Sequence, residues 1–406
     1  MKVALIIDDY VPISTRVAGK MAHELARELV NQGHDVTVIT PHFDKKAPSF
    51  VQTDVDGVAV WYFRSGKIKG VGKFTRALNE TLLSIKAWSS IKKKVRQDTF
   101  DGIVYYSPSI FFGLLVLKLM KRCQCTSYLI LRDFFPRWAV DAGLIKAGSV
   151  IEKYFRFFED LSYSAAGMIG VMSQKNLDIF NQNTNNRFHC NILRNWASLS
   201  PYQTCARMVD FRSKLGLDNK VIYLYGGNIG YAQDMENLMR LAKGMKKYDK
   251  AHFLFVGEGD EVELIQRLAI EWNLKNFSYV PSVNQEQFKE ILAQVDVGVF
   301  SLSAKHTSHN FPGKLLGYMV QSLPLLGSVN EGNDLIGLVN DSSAGFVSVN
   351  GDDDLFLQNS ISLYKSLELR RQTGAAGYRL LETEFAVAGI ASSIIVALEN
   401  ANETIS

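Results

Sequence analysis

Four cysteines in 406 residues, Cys123, Cys125, Cys190 and Cys205, leave little for a disulfide framework. None stands in a Cys-x-x-Cys spacing, and Cys123-x-Cys125 fits neither a zinc site nor a thioredoxin-like pair. They read as reduced thiols of a cytosolic protein. Long apolar runs are missing as well. The longest, IFFGLLVLKLM at 110–120, is interrupted by Lys118 and is too short to cross a bilayer. The N-terminus opens directly on a strand-like segment with no leader pattern, so the expectation is a cytoplasmic chain, soluble or peripheral to a membrane. Low-complexity tracts and short-period repeats are absent, which argues against a repeat array.

What is present is ordinary in total and uneven in distribution. Hydrophobic residues make up 47% and charged residues 21%, as in soluble α/β proteins, and the length suffices for two domains. The net charge of +4 conceals a split. Residues 1–196 carry 27 Lys+Arg against 17 Asp+Glu, whereas 197–406 carry 18 against 24. A basic half joined to an acidic half implies different partners, the basic one favouring a polyanion, an anionic ligand or an anionic membrane surface.

Strand-like and helix-like segments alternate along the whole chain, which predicts a mostly parallel sheet covered on both faces. Strands are expected at 2–8, 35–40, 58–63, 102–106, 127–131, 167–172 and 188–193, with helices near 17–32, 72–97, 109–121, 149–164 and 174–181. The segment Asn195–Pro201 breaks the pattern and reads as a linker. The second half restarts with a helix at 206–215 and a strand at 221–225, and closes with helices at 353–366 and 385–399. Its first strand runs into Gly226-Gly227-Asn228-Ile229-Gly230 and then a helix, and HFLFVGEGDEVELIQRLA at 252–269 repeats that grammar with Gly257-Glu258-Gly259. Such strand–glycine-turn–helix junctions leave backbone N–H groups free to hold an anion, usually phosphate. The fold class is α/β, with two Rossmann-like domains.

The motifs GNIGYAQDMENL, the VGEG turn and PGKLLGYMVQSLPLLG resemble the GT-B glycosyltransferases, and within them the retaining family 4 group. IIDDYVPISTRVAGKMAHELA and LRDFFPRWAVDAGL narrow the likeness to bacterial O-antigen and capsule N-acetyl-L-fucosamine transferases. The resemblance implies two Rossmann-like domains facing a central cleft. Residues 1–196 would bind acceptor, 197–380 would bind the nucleotide sugar, and 381–406 would form a C-terminal helix packing back on the first domain. It implies a hexosyltransferase acting with retention. The donor it implies is a UDP-sugar, and the acceptor it implies is a polyprenyl-diphosphate-linked saccharide of O-antigen, lipopolysaccharide or related surface polysaccharide. No metal or other cofactor is expected. Two departures stand out. His309 and Gly317 occupy the positions of the family's Glu-x7-Glu pair, and Asn228 and Gln233 stand near where an Arg…Lys pair is usual.

Glycosyl transfer from a sugar nucleotide needs charge stabilisation on the leaving diphosphate. Lys314, after Phe311-Pro312-Gly313, is the cation expected there, in the first turn of a helix that proline would open. Gly227, Asn228 and Gly230 would bring backbone to the phosphates. Gly257 and Glu258 would reach a donor hydroxyl or the base, and Val280 and Pro281 would hold the base through backbone groups. Glu331, Asn333 and Asp334 follow a strand; Glu331 could serve the ribose, and Asn333 and Asp334 could equally cap the next helix. His306 and His309 lie in one loop and offer a phosphate or sugar contact, but no third ligand for a metal. In the first half, Asp9, Arg16 and Gly19 lie at a strand end and the loop after it, where α/β sheets bind ligands. Ser107 stands where many relatives have a histidine. Arg132 is matched to an acceptor phosphate, or alternatively an internal ion pair. Asp133 is the carboxylate for orienting the acceptor hydroxyl or stabilising positive charge on the sugar. The catalytic set is therefore Lys314, Asp133 and His309. Asp352-Asp353-Asp354 reads as a helix cap rather than a metal site, and His23 as structural.

Residues 67–96 hold nine Lys/Arg and one acidic residue, with Val71, Phe74, Leu78, Leu82, Ile85, Trp88, Ile91 and Val95 recurring at helical spacing. That is either a core-facing stripe with a solvated basic back, or a basic amphipathic surface for anionic lipid at the inner leaflet of the cytoplasmic membrane. Nucleic acid is not expected, because no exposed stacking aromatics interleave the basic residues and no nucleic-acid motif occurs. Two other readings compete with transfer: a UDP-sugar epimerase of the same architecture, and a non-enzymatic two-lobed ligand-binding protein.

Overall fold

The computed structural model describes residues 1–403 apart from 15, 69, 108, 142, 203–209 and 306–310, and the backbone alone of Lys73. Its elements run β1 (Lys2–Ile6), α1 (Val17–Asn31), β2 (Asp35–His42), β3 (Phe50–Val55), β4 (Val58–Arg64), α2 (Lys73–Thr81), α3 (Leu83–Ile91), β5 (Gly102–Tyr106), α4 (Gly113–Cys123), β6 (Thr126–Ile130), α5 (Arg137–Asp141), α6 (Val150–Ser164), β7 (Met168–Val171), α7 (Gln174–Thr184) and β8 (Cys190–Ile192). There follow α8 (Phe211–Lys214), β9 (Val221–Asn228), α9 (Met235–Gly244), β10 (Ala251–Glu258), α10 (Val262–Glu271), β11 (Phe277–Val280), α11 (Gln285–Leu292), β12 (Val297–Ser301), α12 (Lys314–Val320), β13 (Leu325–Val329), α13 (Leu335–Asp341), β14 (Gly345–Val349), α14 (Asp353–Lys365), α15 (Leu367–Glu384) and α16 (Val387–Glu403). They form two units: Met1–Trp196 together with Val387 onward, and Ala197–Ala386.

The first unit is built on an eight-stranded sheet ordered β3-β4-β2-β1-β5-β6-β7-β8. Every pairing is parallel except β3 with β4. Side chains alternate along each strand, so β1 sends Ala4 and Ile6 to one face and Val3 and Leu5 to the other. The first set packs with residues of α3, α4 and α6, and the second with α1 and α16. Helix α16 contributes Ile390, Ala391, Ile394, Ile395 and Leu398 to that second layer. Its Asn402 accepts from the Thr126 N–H at 2.9 Å and donates to the Asp101 carbonyl at 2.8 Å.

The second unit carries a six-stranded, wholly parallel sheet ordered β11-β10-β9-β12-β13-β14. Ile222, Leu224, Leu254 and Val256 face α12, α13 and α15, while Tyr223, Tyr225, Phe253 and Phe255 face α9, α10 and α14. Each unit thus has the doubly wound plan that defines a Rossmann-like domain, with the topological switch at β1/β5 in one and β9/β12 in the other.

Several elements differ from the sequence expectation. The helix expected at 72–97 is broken at Leu82 into α2 and α3. Strand β3 was not expected; it returns from β4 through Asp56 (φ 51°) and Gly57 (φ 83°), the positive-φ pair of a tight hairpin. Of the helix expected at 206–215, Phe211–Lys214 is helical, and Cys205 lies outside the described residues. Helix α15 was missed because Gly374 and Gly377 dilute its pattern. A Cβ on Gly374 would lie 1.8 Å from the Ser322 carbonyl, so the glycine lets α15 approach the end of α12. The last helix expected at 385–399 begins at Val387, and residues 381–384 still belong to α15. Asp352 does cap α14, accepting from the Leu355 N–H at 3.1 Å. His23 bridges the Tyr10 hydroxyl at 2.7 Å and the Asp56 carboxylate at 3.0 Å, which is a structural role.

His252 on β10 makes an acid-labile point in the second unit. It is 6% exposed and meets the Ser278 hydroxyl at 2.9 Å. Burial, helped by the Lys220 charge, lowers its pKa to about 4. The unfolded chain therefore binds an extra proton between about pH 6.5 and 4. This group's stabilising effect is complete above 6.5 and is lost as the pH falls to about 4, roughly 3 kcal/mol in all. His252→Asn should flatten that limb of the stability–pH curve, as read by urea midpoints at pH 7.5 and 4.5. An unchanged difference between the two midpoints would remove His252 from the account.

Candidate active site

At the β9/β12 switch of the second unit, β9 ends in Gly226, Gly227 and Asn228. Gly227 holds φ +114°, a conformation that suits glycine. Its neighbour on β10 is Gly257, where a Cβ would fall 1.8 Å from the Gly227 carbonyl. The two glycine turns that the sequence shows 30 residues apart are thus one surface, with Glu258 registered against Asn228. The Tyr225 hydroxyl donates to the Asn228 carbonyl, and the Asn228 amide donates to Gln233 at 2.8 Å.

Lys314 arrives at this turn from α12, of which it is the first residue. Its ammonium lies 3.5 Å from the Tyr225 ring centroid and 3.8 Å from where a Cβ on Gly227 would stand. Burial among these groups pushes its pKa well below the ordinary lysine value. A cation held where it loses hydration, beside open backbone and without a carboxylate partner among the described residues, is poised for an added anion.

One turn further along α12, Tyr318 is fully buried. It accepts from the Gly226 N–H at 3.1 Å and donates to the Leu224 carbonyl at 3.1 Å. Tyr225 and Tyr318 were missed in the sequence. Tyr318 was legible in principle, being four residues from Lys314 and hence on the same helix face.

The other expected donor residues are dispersed around the carboxyl ends of this sheet. Gly230 begins the 3-10 turn after β9, and Val280 and Pro281 mark the end of β11. Glu331 is exposed after β13. Asn333 is buried and engaged, donating to Asn330 at 3.0 Å and accepting from the Leu335 N–H at 3.1 Å, so it shapes the start of α13 where Asp334 stands. Gly317 lies within α12, and His306 and His309 fall outside the described residues.

In the first unit, Asp9, Arg16, Gly19 and Ser107 gather at the β1/β5 switch. Arg16 pairs with Asp9 at 3.8 Å. A Cβ on Gly19 would touch the Asp9 carbonyl at 3.0 Å, so the glycine seats α1 against this loop. Ser107 is buried with a hydroxyl that has no partner among the described residues. Arg132 is engaged differently from the acceptor-phosphate expectation. It is buried, donates to the carbonyls of Leu193 at 2.6 Å and Arg194 at 3.0 Å, and lies over the Trp196 ring. The alternative of an internal ion pair is replaced by these carbonyls. Asp133 beside it reaches solvent, and partial loss of hydration raises its pKa above the ordinary aspartate value.

The basic segment also rearranges. Leu83, Ala87, Ile91 and Val95 enter the core, but Phe74 is 86% exposed and Leu78 and Ile85 are open to solvent. The break at Leu82 divides the stripe between core and surface. Nearby α6, joined to α2 by a Thr81–Tyr154 hydroxyl pair, leaves Val150, Ile151 and Phe157 exposed as well. Among the described residues no helix is long and apolar enough to cross a membrane.

Comparison with known proteins agrees with this architecture. Residues 209–380 match the family described as Glycosyl transferases group 1, and residues 18–164 match Glycosyltransferase Family 4. The chain is 21% identical over 344 residues to the Pseudomonas aeruginosa glycosyltransferase WbjE, covering 84% of each. It is 24% identical over 326 residues to the Escherichia coli colanic acid biosynthesis glycosyl transferase WcaI, covering 73% of this chain and 75% of that one. Among solved structures, Anabaena Alr3699/HepE in complex with UDP and glucose aligns over 98% of this chain and all of its own at a TM-score of 0.66, with 14% identity. Fold and motifs therefore define a glycosyltransferase enzyme of GT-B architecture. Its two halves are thus similar to two glycosyltransferase families, the later half to group 1 and the earlier half to family 4. This sets aside the reading as a non-enzymatic binder.

Proposed function

We propose that this enzyme transfers a sugar, N-acetyl-L-fucosamine or a related amino sugar, from its UDP derivative to a polyprenyl-diphosphate-linked saccharide, with retention, in bacterial surface polysaccharide assembly such as O-antigen. The observation that carries the donor half is the meeting of Lys314 with the Gly227–Asn228 turn. Lys314 and backbone N–H groups supply the charge stabilisation that the departing diphosphate needs, and the reading asks for no metal. The C1–oxygen bond to the diphosphate breaks as the acceptor oxygen bonds to C1, and the acceptor proton passes to the departing phosphate oxygen. Asp133 is assigned the acceptor hydroxyl, its raised pKa suiting a proton-sharing role. His309 keeps its assignment to phosphate or sugar. The polysaccharide role is supported by the colanic acid biosynthesis in the name of WcaI, the transfer reaction by the names of both WbjE and WcaI, and the UDP-sugar by the UDP and glucose bound to Alr3699/HepE. The exposed Phe74, Leu78 and Ile85 among the basic residues of 67–96 support docking of this protein on an anionic inner-leaflet surface.

A panel of UDP-, GDP- and dTDP-sugars tests the donor. At a hundredfold excess over Kd, a UDP-amino sugar should raise the melting temperature by roughly 5–10 °C, in EDTA as without it. Stabilisation by GDP- or dTDP-sugars alone would refute the UDP assignment. Conversion of the free UDP-sugar without any lipid acceptor would favour the epimerase.

A further inference from the structure

We propose that the first unit contains a phosphate-binding site on the edge of its sheet, walled by the β2–β3 loop, the end of β4 and helix α3. A cavity of about 570 Å³ is lined there by Lys45 and Ser49 from the loop, Arg64 and Ser65 from the end of β4, and Lys86 and Ser89 from α3. No carboxylate lines it. The cavity lies at the carboxyl ends of the parallel strands β2 and β4, the side on which open α/β sheets take ligands.

The walls are built rather than incidental. The Arg64 guanidinium donates to the carbonyls of Lys45 at 3.2 Å and Ala47 at 3.1 Å, which fixes the loop that carries Lys45. The Ser65 N–H donates to the His42 carbonyl at 2.9 Å, and the Arg64 N–H to the Ser49 carbonyl at 3.0 Å. Asp44, the nearest acidic residue along the loop, turns its carboxylate to the Lys46 N–H at 2.8 Å. Neither Lys45 nor Lys86 has a carboxylate partner among the described residues.

A second observation points to a ligand. Ser65 is only 5% exposed, yet its hydroxyl has no hydrogen-bond partner among the described residues. A buried hydroxyl left unmatched costs about 1–3 kcal/mol, and a phosphate oxygen would accept its proton. Three cations and an unmatched hydroxyl around one cavity are the chemistry of a phosphate or diphosphate group. The carrier is either a membrane lipid or the lipid-linked acceptor. Only that attribution rests on the proposed function; the site stands on its own residues.

The test titrates inorganic pyrophosphate with UDP present at saturation, so that the Lys314 site is filled. Lys86→Ala should weaken pyrophosphate binding about tenfold or more, and Ser65→Ala roughly tenfold, while UDP affinity stays at the wild-type value in both. Ser65→Ala should also melt no lower than wild type, which separates a binding role from a structural one. Co-sedimentation with phosphatidylglycerol and phosphatidylcholine vesicles distinguishes the carriers. Parallel loss of phosphatidylglycerol binding assigns the site to lipid headgroups; unchanged vesicle binding assigns it to the acceptor's diphosphate. Unaltered pyrophosphate affinity in both variants, or a matching fall in UDP affinity, overturns the site.

Discussion

Lys314→Ala should lower kcat/KM for the sugar nucleotide by about a hundred- to a thousandfold, the loss that follows removal of one preorganised charge stabiliser. The side chain is half buried against Tyr225 with its ammonium beside the Gly227 turn. A second consequence has the opposite sign. Because burial depresses the Lys314 pKa, the folded protein binds this proton less tightly than the unfolded chain, whose value is near 10.5. The resulting penalty on the fold is present at neutral pH and fades as the pH rises toward 10.5. Lys314→Met, which keeps the contact with the ring, should therefore melt higher than wild type while losing transfer. Initial rates and a melting curve on the same preparation check both statements. Transfer within threefold of wild type would remove Lys314 from the chemistry, and a lower melting temperature would show that its charge is not under strain.

Tyr318→Ala should be the most damaging single substitution for the second unit, at about 3–5 kcal/mol. It removes a fully buried ring and leaves the Gly226 N–H, which now meets the phenol oxygen at 3.1 Å, without an acceptor. The glycine turn suffers with the core, since Gly226 leads directly into Gly227 and Asn228. Strand β12 is shaped around the same ring: a Cβ on Gly298 would lie 2.3 Å from it. Tyr318→Phe separates the two contributions. It preserves the ring, loses the hydrogen bonds, and should cost about 1–3 kcal/mol. Urea midpoints together with UDP affinity provide the check. If Tyr318→Phe matched wild type in both, the hydroxyl would have no part in holding the turn.

How much was legible depended on the range of the interaction. Parallel α/β character showed in the alternation of strand and helix, and the β9 and β10 glycine turns showed because strand, glycine and helix are consecutive. The Asp56-Gly57 hairpin was equally local and could have been read. Helix α15 could not be read from its own residues, since Gly374 and Gly377 look like helix weakeners until the close approach to Ser322 explains the first of them. Arg132 shows the same limit from the other side. In sequence it was a basic residue at a strand end, but the carbonyls that engage it lie 61 and 62 residues away.

The sequence by itself determined the α/β plan, the two glycine turns and the charge asymmetry, because strand periodicity, backbone freedom at glycine and net charge belong to short segments or to simple sums. Tertiary structure decided which of those residues meet: Lys314 with Gly227, Tyr318 with Gly226, and Lys86 with Arg64 and Ser65. The physical reason is that parallel strands are joined by long crossovers. Residues at neighbouring strand ends are therefore far apart in the chain, and only the sheet order brings them together.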